Sequence, residues 1–226
     1  MFTTLRSLLD WSEVWALLMP FAALYLQRRQ PPALKPVIWY AVLAFAINLG
    51  IDLNIPFKNY YPSWLQSNNP LYNVHSITRF VCFSIYFVRL PEMKYKGMVR
   101  LLSNLSFVFL LVNFTFFEKF YNYNSFSSNL FTAEAFVLLV YCMLYYLSEL
   151  QDDDRNLFRT PHFWVVTGLS IYVVTNFFVF LFYEPMIELD VELALNIWNL
   201  HNISFIVFCL FIAKAFYGAP RYQLAG

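Results

Sequence analysis

Charge is scarce in this chain. Asp, Glu, Lys and Arg make up 13% of its 226 residues, against 60% hydrophobic and 21% aromatic. The mean hydropathy is +0.52. That balance excludes an ordinary soluble domain, of which about 25% is charged. Cysteine is nearly missing too. Cys82, Cys142 and Cys209 each sit inside an apolar run, which argues against a disulfide framework and leaves them as small packing residues. The few glycines form no phosphate-cradling loop, and there is no nucleophile elbow, Cys-x-x-Cys pair or His-Glu-x-x-His motif. A net charge of +1 offers no basic footprint for nucleic acid. The sequons at Asn104, Asn113 and Asn202 fall within or at the start of apolar runs, which keeps them from serving as glycan acceptors.

What the chain has in abundance is long apolar stretches, and about 20 such residues cross a bilayer core. Seven spans are predicted: Leu8–Gln27, Val37–Asn54, Leu71–Leu90, Leu101–Phe117, Ser128–Leu150, Phe163–Tyr183 and Ala194–Tyr217. The first carries Asp10 and Glu13 with no small-residue cleavage site after it, so it reads as a span and not a signal peptide. The expected fold is an all-α integral membrane domain over residues 1–226.

Lys and Arg in short loops set orientation. Arg28, Arg29 and Lys35 lie between spans 1 and 2; Lys94, Lys96 and Arg100 between spans 3 and 4; Arg155 and Arg159 between spans 5 and 6; Lys214 and Arg221 at the end. The other side has Arg6, Lys58 and Lys119, and its loop between spans 6 and 7 is acidic, with Glu184, Glu188, Asp190 and Glu192. The N-terminus is therefore expected outside and the C-terminus in the cytoplasm.

Two thirds of the chain read as copies of one three-helix unit. Glu13-Val14-Trp15-Ala16-Leu17-Leu18 aligns with Glu134-Ala135-Phe136-Val137-Leu138-Leu139, and Pro36-Val37-Ile38-Trp39 with Pro161-His162-Phe163-Trp164. Tyr72-Asn73-Val74-His75-Ser76-Ile77-Thr78 aligns with Trp198-Asn199-Leu200-His201-Asn202-Ile203-Ser204. The predicted plan is 3+1+3: repeat one over 1–90, a linker helix within 91–126, repeat two over 127–217 and a short cytoplasmic tail over 218–226. Repeats in polytopic proteins place their site at the interface between copies.

Ionisable groups inside a bilayer are expensive and mark function by default. With the helices laid in their expected directions, Glu13, Glu134, His75, His201, Asp52, Asn48 and Asn176 all fall in the outer half, with Arg79 near the midplane. His75 and Arg79 share a helical face, as do Asn48 and Asp52. Arg79 requires a counter-charge, for which Glu134 and Asp52 are the candidates. Asn199 and Asn202 complete the ligand-binding set on span 7. Two carboxylates and two imidazoles also suit a transition metal, so Glu13, Glu134, His75 and His201 are the metal candidates. The opposing reading is that these groups satisfy one another and pin helices together. His162, with Pro161 and Trp164, reads as an interfacial anchor at the cytoplasmic mouth, and Trp11, Trp39 and Trp64 suit the aromatic belts.

Pro161-His162-Phe163-Trp164-Val165-Val166-Thr167-Gly168 and the aromatic run Ile197–Phe216 resemble segments of uncharacterised small seven-helix bacterial membrane proteins. That resemblance covers mainly the last third, implies a sensory role in a bacterial inner membrane and carries no site residues. The 3+1+3 plan is similar to that of SWEET-type sugar carriers, although their Pro-Gln signature is missing. Three classes follow. One is a receptor-like sensor with a polar ligand or ion site, signalling through a separate cytoplasmic partner docked on Arg89–Arg100 and Gln151–Thr160. The second is a small-solute carrier. The third is an intramembrane metal-dependent hydrolase of the ceramidase type. The five glycines, with Pro20 as the lone proline inside a helix, point to a rigid bundle and so to the sensor.

Overall fold

The structure is a computed structural model that describes residues 8–54, 60, 67–118, 120, 127–151 and 157–223, without the side chains of 188 and 220–223. The described residues are helical and contain no strand. Five helical segments are long and apolar enough to cross a membrane: Pro32–Asn54, Lys96–Phe117, Ser128–Glu149, Pro161–Ile187 and Val191–Ala219, with a shorter apolar segment at Ser12–Leu26. Large side chains such as Leu43, Leu101, Leu111, Phe136, Phe178 and Leu210 face outward, as befits a bundle solvated by lipid and not by water. The chain is an integral membrane protein.

The helices are α1 (Ser12–Trp15), α2 (Leu18–Leu26), α3 (Lys35–Asn54), α4 (Asn69–Arg89), α5 (Lys96–Val112), α6 (Ser128–Glu149), α7 (Pro161–Leu189) and α8 (Val191–Gln223). Helix α4 has the length of a span, 21 residues. Asn73, His75, Ser76 and Arg79 make it less apolar than the others.

The first predicted span is broken, and Pro20 explains why. A proline has no N–H and its ring crowds the carbonyl four residues back, here that of Ala16. The chain tightens around Ala16 and Leu17: Met19 N–H donates to Ala16 O and Leu17 N–H to Val14 O. The carbonyl of Glu13 loses its helical donor, and the Asn48 amide of α3 takes it at 3.1 Å. A freed backbone group in lipid must find such a partner.

Two other elements differ from expectation. Helix α7 runs through Pro185 to Leu189, so Pro20 is not the lone interior proline. The loop predicted between spans 6 and 7 shrinks to a sharp turn at Asp190, whose Oδ1 accepts from Glu192 N–H and Leu193 N–H and caps α8. Helix α5 ends in a π turn, Asn113–Phe117, and is the least buried of the five long spans.

Packing is closest between α7 and α8, between α6 and α7, between α3 and α4, and between α2 and α8. The core is aromatic: Phe83, Tyr86, Phe87, Tyr141, Phe208 and Phe216 are almost wholly buried. The three cysteines are buried and free.

Candidate functional site

Around Glu13 and Glu134 the buried polar side chains form two adjoining networks, each built on one carboxylate. In the first, Glu13 Oε1 lies 2.8 Å from His201 Nε2 and so joins α1 to α8. His201 Nδ1 lies 2.5 Å from Asn176 Oδ1. The Asn176 amide donates to Tyr172 O at 2.7 Å and to Ser204 Oγ at 3.0 Å. Ser204 in turn donates to His201 O at 2.8 Å. These contacts settle which way the amide points, because turning it over would set its oxygen against the Tyr172 carbonyl. Asn176 Oδ1 is the acceptor, and His201 Nδ1 carries a hydrogen.

In the second network Glu134 on α6 meets Arg79 on α4 as a fork. Nε lies 2.6 Å from Oε1 and Nη2 2.7 Å from Oε2, the bidentate geometry that makes such pairs strong. Ser76 adds a hydroxyl donor to Oε2, and Arg79 Nη1 donates to Tyr172 OH at 2.6 Å. Tyr172 thus belongs to both networks, by its hydroxyl to one and its carbonyl to the other. Both carboxylates, Arg79, His201 and Asn176 are more than nine-tenths buried.

His75 stands between them. It is 3% exposed, its ring is stacked on Tyr40 with centroids 6.1 Å apart, and its Nε2 has no partner. It lines a small cavity with Glu13, Arg79 and His201, under Tyr72, Phe131, Phe180 and Trp198. That cavity has room for about one water molecule. Beyond it lies an open vestibule of about 210 Å³ lined by Asp10, Glu13, Asp52, Asn68, Tyr72 and Trp198. Glu13, Tyr72 and Trp198 line both spaces, and the rings of Tyr72 and Trp198 meet edge to face at 6.1 Å.

Most sequence-predicted residues converge here, with corrections. Of the two candidate counter-charges for Arg79, Glu134 is the one used; Asp52 faces the vestibule instead. Asn199 is half-buried and Asn202 buried, but neither hydrogen-bonds into the networks. The four metal candidates form no single donor set. Arg79 and Ser76 engage both oxygens of Glu134, Glu13 faces His201, and no three His, Cys, Asp or Glu side chains among the described residues gather to hold a metal ion. His162 is no interfacial anchor: it is 3% exposed and lies 3.2 Å from Tyr86 OH.

Sequence reasoning missed Tyr172, Ser76, Ser204, Tyr72, Tyr40 and Asp10 as parts of the site. Spacing held a signal for some of them. Ser76 precedes Arg79 by three residues and Tyr172 precedes Asn176 by four, which puts each pair on one helical face.

Set beside family models, characterised proteins and solved structures, the chain matches none of them.

Proposed function

We propose that this protein is a seven-span, receptor-like sensor that takes a ligand or ion into the Glu13–His201 site from outside and signals through a separate cytoplasmic partner. The seven spans are the five long helices, α4, and α1 with α2 together. The N-terminus is outside, as the Lys/Arg bias implies.

The observation that carries this reading is the depth of the polar path. The vestibule leads to Glu13 and the small cavity behind it. Farther along the axis the bundle is filled by Phe83, Tyr86, Phe87, Tyr141, Phe208 and Phe216. A path that enters from one side and stops midway suits detection better than passage.

Reciprocal contacts support the 3+1+3 repeat. Glu13 of the first unit pairs with His201 of the second, and Glu134 of the second pairs with Arg79, one turn from His75, in the first. Tyr72 and Trp198, matched in sequence, touch each other, as residues near a pseudo-two-fold axis do. Helix α2 packs on α8 and α4 on α6, contacts that exchange under the same operation.

On the cytoplasmic side, Lys94 Nζ reaches Gln151 O at 3.3 Å and the Gln151 amide donates to Tyr95 OH at 2.8 Å. Lys94, the first turn of α5 with Lys96 and Arg100, and the start of Gln151–Thr160 thereby form one face for a partner. The resemblance to small bacterial seven-helix proteins agrees with a sensory role in a bacterial inner membrane.

A carrier is the second reading, favoured by one observation. Alternating access uses discontinuous helices beside the site, and the break at Ala16 and Leu17 adjoins Glu13. Labelling separates the two. In a cysteine-free background, Asp52→Cys and Tyr72→Cys should react with an impermeant thiol reagent added outside and stay protected from one added to inside-out vesicles. Labelling from the cytoplasmic side would replace the sensor with the carrier.

A further inference from the structure

We infer that the species taken up at this site is the proton, and that the Glu13–His201 contact is a one-proton latch between α1 and α8. The inference rests on the proposed sensor reading and names its ligand.

The hydrogen-bond network dictates the count. His201 Nδ1 already gives its hydrogen to Asn176 Oδ1. Nε2 of a neutral His201 is then an acceptor, and it lies 2.8 Å from a carboxylate oxygen that is an acceptor as well. Two acceptors hold at that distance only with a proton between them. The observed geometry is the loaded state, either imidazolium with carboxylate or imidazole with carboxylic acid, and the pair is neutral overall. Loss of the proton leaves one net negative charge and two lone pairs face to face in a dry site, and the contact opens. Helix α1 is the element free to respond, since its continuity with α2 is already interrupted next to Glu13.

A route for the proton is built along α3. Asp52, Asn48 and Tyr40 recur at intervals of four and eight residues, so they share one slowly turning face. Each has a buried oxygen without a partner: Asp52 Oδ2, Asn48 Oδ1 and Tyr40 OH. Ser12 Oγ beside Glu13 and His75 Nε2 share that condition. Buried polar atoms without protein partners are satisfied by internal water. Ala44, one turn from both Asn48 and Tyr40, presents only a methyl group to the seam. Asp52 opens on the vestibule, Asn48 holds the Glu13 carbonyl, and His75 stacks on Tyr40. The cavity between Glu13 and His75 has room for about one water molecule, which suits proton transfer and shuts out larger solutes.

Several charged and titratable groups bear on the latch. Asp10 and Asp52 stand at the vestibule; Tyr72, His75 and Arg79 face it from α4; Glu134 acts through Arg79; Tyr172 faces it from α7 and Cys209 from α8. Arg79 and Glu134 compensate each other. The acidic vestibule thus draws protons inward without being the latch.

Trp198 supplies the readout, because its ring lies 4.9 Å from that of His201, close enough for proton exchange at the imidazole to alter its emission. The full chain in nanodiscs is titrated from about pH 4 to about pH 10, across the ordinary ranges of carboxyl, imidazole and thiol. Tryptophan emission should show one step that Trp198→Phe removes, with release of about one proton at the electrode. The step should vanish in Glu13→Gln and in His201→Gln, each verified as folded by its thermal transition. A flat wild-type curve, or a step that persists in Glu13→Gln, overturns the latch. The sensor reading fails separately, if thiol labelling at Lys96→Cys on the cytoplasmic face is the same on the two sides of that pH step in an otherwise wild-type background.

Discussion

Glu13 and Glu134, which match each other under the proposed repeat, are held in opposite ways. Glu134 is clamped by a guanidinium fork and a serine hydroxyl. Glu13 has one side-chain partner, the His201 imidazole. The difference traces to one position. Arg79 stands one turn after His75, whereas Phe205 stands one turn after His201. Where the arginine is present, the carboxylate is held by a fork of two hydrogen bonds from a charged partner. Where phenylalanine replaces it, the carboxylate is left to the histidine, and the contact depends on a proton. One half of the bundle is braced and its counterpart is left able to move.

The same substitution at both positions is the sharpest way to test that contrast. Glu134→Gln should cost about 3–5 kcal/mol, because it strands the Arg79 charge in a buried site. Unfolding in mixed micelles measures it, and a loss below about 1 kcal/mol would mean that the pair is not what braces α4 against α6. Tyr172→Phe comes next. It deletes the hydroxyl that accepts from Arg79 Nη1 at 2.6 Å while keeping the ring, and hydrogen bonds to charged groups contribute about 1.5–3 kcal/mol. Because the tyrosine carbonyl still holds Asn176, the pH step of Trp198 should survive this change. Its disappearance would merge the two networks into one functional unit.

A third change addresses the aromatic half, away from both carboxylates. A Cβ added at Gly168 would meet Phe211 Cβ at 2.5 Å and Phe208 Cδ2 at 3.3 Å. Neither α7 nor α8 can retreat without disturbing the tightest helix pair in the bundle, so Gly168→Ala should cost about 1–3 kcal/mol as overpacking. The thermal transition should fall while the pH step stays where it is.

Much of this was legible in the sequence, for a physical reason. Charge inside lipid is so costly that the few residues bearing it nearly identify themselves. Glu13, His75, Arg79, Glu134 and His201 stand out that way, and the need for a counter-charge narrows the partner of Arg79 to Glu134 or Asp52, of which the structure uses Glu134. What escaped was of two kinds. Tyr172, Tyr40 and Tyr72 were hidden by abundance, since a tyrosine is unremarkable in a chain with sixteen of them. Which carboxylate would meet which imidazole was hidden by distance. Spacing along a helix reports a shared face, but the approach of α1 to α8 across 188 residues depends on how all the helices pack. Boundaries erred where proline was read too simply: Pro20 breaks its helix, while Pro185 is carried inside one.

The smallest expected effect on stability is the most telling. In Glu13→Gln the amide N–H replaces the bridging proton and donates to His201 Nε2. The contact to α8 survives and no charge is stranded, so the cost should stay below about 1 kcal/mol, against the 3–5 kcal/mol of the same change at Glu134. The variant should nevertheless be fixed in the loaded state and insensitive to pH. The sign follows from the count of protons. Wild type holds the latch below the pH at which the pair releases its proton and loses that contribution above it, so its thermal transition should fall as pH rises through that point. Glu13→Gln should show no such fall on the alkaline side, because it has no bridging proton to lose. An alkaline fall of the same size in Glu13→Gln would mean that the bridging proton is not what holds α1 to α8, and the roles assigned to Glu13 and His201 would have to be given up.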